Sequence, residues 1–135
     1  MIFVDAGAFF ALQVPKDPHH SKAVEWLESN REPLVTSDYV AVETLNLLRA
    51  RRQFAQAIEM NQRFLDEDFI YLEWVTPADY DEAAHVFSEF RDKSWSFTDC
   101  TSRVVMERLG ISTAFGFDEH FRQFGTVALV HEINS

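Results

Sequence analysis

Four carboxylates stand where strand and helix ends would present them for shared work: Asp5, Glu43, Asp99 and Asp118. Asp5 follows at once on the apolar run Ile2-Phe3-Val4, so it leaves the carboxyl end of a strand. Asp118 comes just after Thr113-Ala114-Phe115 and the pair Gly116-Phe117, the equivalent place on a second strand. Asp99 falls in the first turn of a helix, where the dipole and free backbone N–H groups favour an ionised carboxylate. Glu43 lies at the edge of an apolar arc of Val40, Leu45, Leu47 and Leu48, a costly place for a charge without a partner. Acids of this kind, with no thiol or imidazole cluster beside them, suit a hard cation such as Mg²⁺ or Mn²⁺. A cation held in this way activates water and neutralises charge on a phosphodiester.

Each acid also has a simpler local role. Asp5 can be a turn former, Asp99 a dipole partner and Asp118 the cap of a short helix. Glu43 can pair with Arg49 or Arg51. One at a time these roles suffice; four acids at strand ends and helix edges are hard to account for as caps alone.

The elements that must position these acids alternate along the chain. Ile2–Val4 reads as a strand, and a loop with Pro15 and Pro18 leads to a helix over Ser21–Ser29. Leu34–Thr36 is a brief strand, after which Ser37 or Asp38 caps a helix running to about Arg52. Phe54–Leu65 carries apolar residues at helical spacing, and Phe69–Val75 is rich in β-branched and aromatic residues, a strand. Thr76-Pro77-Ala78-Asp79 is a helix start: an N-cap, proline at N1 and a carboxylate at N3. A further helix opens near Thr98 and stops at Gly110. Thr113–Phe115 and Val127–Val130 read as the last strands, with a short helix at Glu119–Phe124 between them. Strands separated by helices imply a parallel sheet, and ligands of such sheets bind beyond the carboxyl ends of the strands.

At 135 residues the chain fits one domain, 1–135, with no repeat, linker or internal boundary. Its first residues are apolar but lack a basic start and carry Asp5, so they read as a strand rather than an export signal or membrane span. With the single Cys100, this points to a cytoplasmic protein. The net charge of −10, from 22 acidic and 12 basic residues, opposes nucleic-acid binding through a basic surface. Carboxylates loaded with divalent cations reverse that argument locally, because the occupied site attracts phosphate.

Four segments carry a resemblance: MIFVDAGAFFAL, the acid within SDYVAVETLNLLR, SFTDCTSRVVMERLGI, and TAFGFDEHFRQFG. Together they resemble the PIN domain, and more closely the VapC-type toxin ribonucleases, over essentially the whole chain. The resemblance implies a three-layer α/β/α sandwich around a parallel five-stranded sheet. It implies an endoribonuclease dependent on Mg²⁺ (or Mn²⁺), with Asp5 and Asp99 as principal ligands and Asp118 and Glu43 completing the metal site. Products would carry a 5′-phosphate and a 3′-hydroxyl. A homodimer, a small antitoxin that blocks the acidic pocket, and an RNA substrate (structured RNA such as tRNA) belong to the same expectation. The chain departs from the family in having Ala6 and Gly7 after the first acid, where a hydroxyl residue is usual.

Other residues weigh less. Cys100 has no neighbouring histidine to activate it and reads as a buried small residue. Arg49-Ala50-Arg51-Arg52 is the one compact basic cluster; it suits a helix C-terminus, or phosphate contact beside the acids. His120 stands two residues after Asp118 and within reach of substrate. Trp26 and Trp74 read as core or dimer surface, and Trp95 as core or a platform for a base. Phosphatases and receiver domains also use an Asp after the first strand, but the phosphatase wants a second acid two residues on, where Gly7 stands, and both want a well-placed lysine, of which the chain has only Lys16, Lys22 and Lys93. A PIN-like binding module without activity is the remaining alternative.

Overall fold

A computed structural model of the protein describes residues 1–121, 123 and 128–129. Strands β1 (Ile2–Val4), β2 (Leu34–Ser37), β3 (Tyr71–Glu73), β4 (Thr113–Phe115) and β5 (Ala128–Leu129) form one sheet in the order β3-β2-β1-β4-β5. Every neighbouring pair is parallel. β1 is central, and its three residues are all buried, as a strand covered on both faces requires. Helices α1 (Ala6–Gln13), α2 (His20–Ser29), α3 (Asp38–Ala50), α4 (Phe54–Phe64), α5 (Pro77–Glu89) and α6 (Phe97–Leu109) flank the sheet. The parallel five-stranded α/β architecture expected from the sequence is the one observed.

The strand order turns back on itself beside β1. The chain moves from β1 outward through β2 to β3, then returns to lay β4 on the other side of β1. The carboxyl ends of β1 and β4 therefore frame a topological switch point, where open α/β sheets bind ligands. Asp5 ends one of these strands and Asp118 follows the other.

Aromatic packing closes the core. Phe9 meets Phe64 edge to face at 4.9 Å between ring centroids, and Trp26 lies on Phe115 at 4.1 Å. Trp95, buried, donates its indole N–H to Gln123 Oε1 at 2.8 Å. Its burial removes Trp95 as a platform for a base. Trp74, by contrast, is exposed.

Two expectations change. The strand over Phe69–Val75 shrinks to Tyr71–Glu73, because its flanking amides bond elsewhere: Ile70 N to Asp66 O, and Val75 N to the Asp38 carboxylate at 2.7 Å. Residues 6–13, for which the sequence suggests no element, form α1. Its sequence AGAFFALQ is apolar on nearly every side, so it has no stripe by which to recognise a helix. The short helix expected at Glu119–Phe124 opens as a turn over Glu119, His120 and Phe121, and its Phe124 end lies outside the described residues. So do Val127 and Val130, the ends of the last expected strand. Among the described residues no helix is long and apolar enough to cross a membrane.

Candidate active site

Asp5 has the extended backbone of an N-cap, φ −89° and ψ 161°, yet its side chain makes no cap bond to α1. Its amide N–H is tied to Phe115 O at 3.0 Å, which fixes the ends of β1 and β4 against each other. The carboxyl is buried, with 5% of the residue exposed. Burial, reinforced by the nearby charges of Asp99, Glu43 and Asp118 and opposed only by the Ala6 N–H, pushes its pKa up to about 8. Three acids from three other parts of the chain thus bear on one buried carboxyl.

Glu43, on the second turn of α3, is half-buried and its pKa is raised by burial, then by Asp99 and Asp118. Among the described residues Glu43 makes no ion pair, so the pairing with Arg49 or Arg51 does not form. Arg49 instead lies over the Phe54 ring at 5.1 Å.

Asp99 both caps a helix and faces the site. Ser96 Oγ accepts from Asp99 N, and Asp99 Oδ2 accepts from Ser96 N, each at 3.0 Å, a closed capping box at the start of α6. Asp99 Oδ2 also meets His120 Nδ1 at 2.8 Å. Both bonds end on Oδ2, which leaves Oδ1 for other ligands. The helix start locks χ1 of a nearly buried acid, the preorganisation a metal or phosphate site needs. Asp118 is more exposed; its Oδ1 accepts the His120 amide at 2.9 Å, and the imidazole Nδ1 lies 3.3 Å from the same oxygen. Asp118 thus caps the turn over Glu119, His120 and Phe121.

The imidazole of His120 therefore sits between Asp99 and Asp118, with Nε2 3.3 Å from Ser94 Oγ. The sequence placed His120 near Asp118 but gave no sign of its bond to Asp99, which is 21 residues away. Cys100, next to Asp99, is fully buried and its thiol is pushed up by burial, in keeping with an inert core position.

Gly116 is the closest neighbour that must stay small. A Cβ on it would come within 3.3 Å of Asp5 Cβ and 3.8 Å of Asp5 Oδ2. Gly7 is less constrained, its Cβ position lying 4.0 Å from Asp5 Oδ2. Gly116→Ala should keep the fold while shifting Asp5 by a few tenths of an ångström. The expected result is a loss of about tenfold or more in activity with little change in thermal midpoint. A large fall in midpoint, with activity per folded molecule intact, would refute that reading.

The oxygen donors of the four acids, their mutual repulsion, and a buried carboxyl that holds its proton for want of a counter-charge all fit a hard divalent cation. Among the described residues no three Asp, Glu, His or Cys side chains already converge as a finished cage. One cleft opens beside Glu43 and another beside Asp118. One is lined by Asp38, Val42, Glu43, Asn46 and Thr98, the other by Gly7, His19, Arg51, Phe117, Asp118 and His120.

Comparison with known proteins bears on the family and the fold. The family model for the PIN domain matches residues 2–127. The chain is 34% identical over 128 residues to the 23S rRNA-specific endonuclease VapC20 of Mycobacterium tuberculosis, covering 94% of this chain and 96% of that one. The crystal structure of VapC20, a toxin that cleaves the sarcin–ricin loop, superposes with a TM-score of 0.89 at 30% identity, over 94% of this chain and 97% of the other. The Neisseria gonorrhoeae FitAcB structure, at 15% identity and a TM-score of 0.68 over 98% and 99% of the two chains, shares the fold.

Proposed function

The chain belongs to the PIN-domain family, and from that premise we propose that it is a divalent-metal-dependent endoribonuclease that cuts structured RNA, the toxin half of a toxin–antitoxin pair. The observation that carries this reading is the Asp5 carboxyl, buried and repelled by Asp99, Glu43 and Asp118 at the switch point of the sheet. Nothing in folding rewards such an arrangement; a bound cation does.

In this proposal Asp5 and Asp99 would hold Mg²⁺ or Mn²⁺, and Glu43 and Asp118 would complete its surroundings. The cation supplies charge neutralisation at the scissile phosphate and a more acidic water. The chain supplies orientation. Ser96 and His120 hold Asp99 at one oxygen, and His120 spans from Asp99 to Asp118, so one imidazole orients both acids. Water adds to phosphorus, the bond to the 3′ oxygen breaks, and that oxygen takes up a proton, leaving 5′-phosphate and 3′-hydroxyl ends. The protein acts in the cytoplasm as a homodimer, held in check by a small antitoxin with a basic group for the acidic pocket.

The similarity to VapC20 supports ribosomal RNA as the first substrate to test, ahead of tRNA. Purified protein incubated with intact ribosomes and, separately, with a tRNA pool in Mg²⁺ should give one or a few discrete 23S rRNA cuts, with 5′-phosphate ends. Discrete cuts in tRNA alone would keep the nuclease and replace the target. No cut in either RNA by folded, antitoxin-free protein would count against the reading.

A further inference from the structure

The cleft beside Asp118, about 690 Å³ in volume, holds two features that the four acids do not use. The first is a stack. The imidazole of His19 lies flat on the Phe117 ring, 4.3 Å between centroids and 7° from parallel. His19 is exposed while Phe117 is partly buried, so one imidazole face is backed by an aromatic ring and the other is turned to the cleft. The loop carrying His19 is ordered: His19 N donates to Asp17 Oδ1 at 2.8 Å, and His20 Nδ1 lies 2.7 Å from Ala11 O. The second feature is Arg51, the C-cap of α3, which lines the same cleft. Its guanidinium makes no ion pair among the described residues, although Asp17, Asp118 and Glu119 line the cleft with it.

An isolated histidine on a surface phenylalanine is commonly just a cover for apolar area. Here the position argues for more. Phe117 immediately precedes Asp118, and His19, Phe117 and Asp118 line one cleft, so a flat ligand on His19 shares that cleft with an acid of the candidate site. A flat aromatic face, a cation without a partner and an acid site for the scissile phosphate are the parts of a nucleotide subsite. Stacking on aromatic rings captures a base regardless of its hydrogen-bonding edge.

We propose that this cleft binds the nucleotide next to the scissile phosphate, its base stacked on His19 over Phe117 and a neighbouring phosphate on Arg51. The proposal rests on the ribonuclease reading and adds to it an unpaired, splayed-out base as the feature that the enzyme selects. A paired base inside a helix presents no free face to His19, so loops and bulges are favoured over duplex.

Mononucleotides test this directly, because they hold no phosphodiester to cut. The full chain is titrated with 5′-AMP and with ribose 5-phosphate, in Mg²⁺ and in EDTA, following the ring resonances of His19 by NMR. AMP should bind at least about fivefold more tightly than ribose 5-phosphate and shift the His19 ring. His19→Ala should erase that preference, and His19→Phe should restore it. Arg51→Ala should weaken both ligands together. On RNA, the loss in His19→Ala should fall on KM. Equal binding of AMP and ribose 5-phosphate, or unchanged AMP binding in His19→Ala, overturns the subsite while RNA cleavage by the wild type leaves the nuclease standing. AMP bound through His19 by a protein that cuts no RNA would support the subsite and sink the nuclease.

Discussion

Asp5→Asn will abolish RNA cleavage and, in the absence of metal, make the protein more stable. The side chain is nearly isosteric, so packing around β1 and Gly116 is kept. What is lost is the charge, and with it several kcal/mol of cation and phosphate stabilisation, on the order of 10³-fold in rate. What is gained is relief from repulsion. The Asp5 carboxyl, pushed up to about 8, holds a proton in the native state that the unfolded chain releases near pH 4. Its folded pKa is raised, so stability is fully present below about pH 4 and is lost as pH rises through 8. In EDTA the Asn variant should therefore melt close to wild type at pH 4 and above it at pH 8, by roughly 1–4 kcal/mol. Mg²⁺ should raise the wild-type midpoint and leave the variant nearly unmoved. Equal melting of the two proteins at pH 8 without metal would show that Asp5 is not under electrostatic strain.

The second large effect lies away from the site. Arg108, at the end of α6, makes a two-pronged contact with Asp79, Nε to Oδ1 at 2.9 Å and Nη2 to Oδ2 at 2.8 Å, and gives Nη1 to Glu73 at 2.8 Å. Asp79 is buried and closes the capping box of α5 with Thr76. One guanidinium thus ties the end of α6 to the end of β3 and the start of α5. The Arg108 side chain beside Asp79, then the Thr76 amide and hydroxyl, hold the Asp79 carboxyl below its ordinary range. Arg108→Ala strands that carboxylate and should cost about 2–3 kcal/mol; the Arg108 side chain is 35% exposed, which keeps the loss below that of a fully buried pair. Arg108→Lys should recover only part of it, since an ammonium cannot span both Asp79 oxygens and Glu73. Because the folded pKa of Asp79 is depressed, its contribution is present above about pH 4 and fades as pH falls further, so the gap between wild type and variant should narrow in acid. Chemical denaturation at pH 7 and at pH 3 measures both. A gap that stays constant with pH would show that the ion pair is not its source.

The legibility of this protein from its sequence follows element by element. Asp5 was readable because a three-residue apolar strand ends on it, and Glu43 because it interrupts the edge of an apolar arc. The approach of Asp5 and Asp118 requires only that β1 and β4 be neighbours, and Glu43 enters from α3, after the neighbouring strand β2 on the other side of β1. Asp99 shows why the simple reading and the functional one are not rivals: the same carboxylate closes the capping box and bears on Asp5. Helix α1 escaped because its burial on several sides removes the helical stripe. The long strand over Phe69–Val75 was cut short by the Asp38 carboxylate, a contact 37 residues away in sequence. His120 and the His19–Phe117 stack depend on such distant contacts too, and neither spacing nor composition encodes them.

The central claim is that these four carboxylates work together as a metal-dependent ribonuclease. Its most direct test is cleavage of a structured RNA by wild type and Asp99→Asn in Mg²⁺, Mn²⁺ and EDTA, with Mn²⁺ binding measured on the same samples. The account predicts cutting by wild type in either metal, none in EDTA, and none by a folded Asp99→Asn whose Mn²⁺ affinity has dropped. Cleavage that persists in EDTA or in Asp99→Asn, or a wild type that neither binds Mn²⁺ nor cuts, would contradict it and leave a PIN-fold binding module in its place.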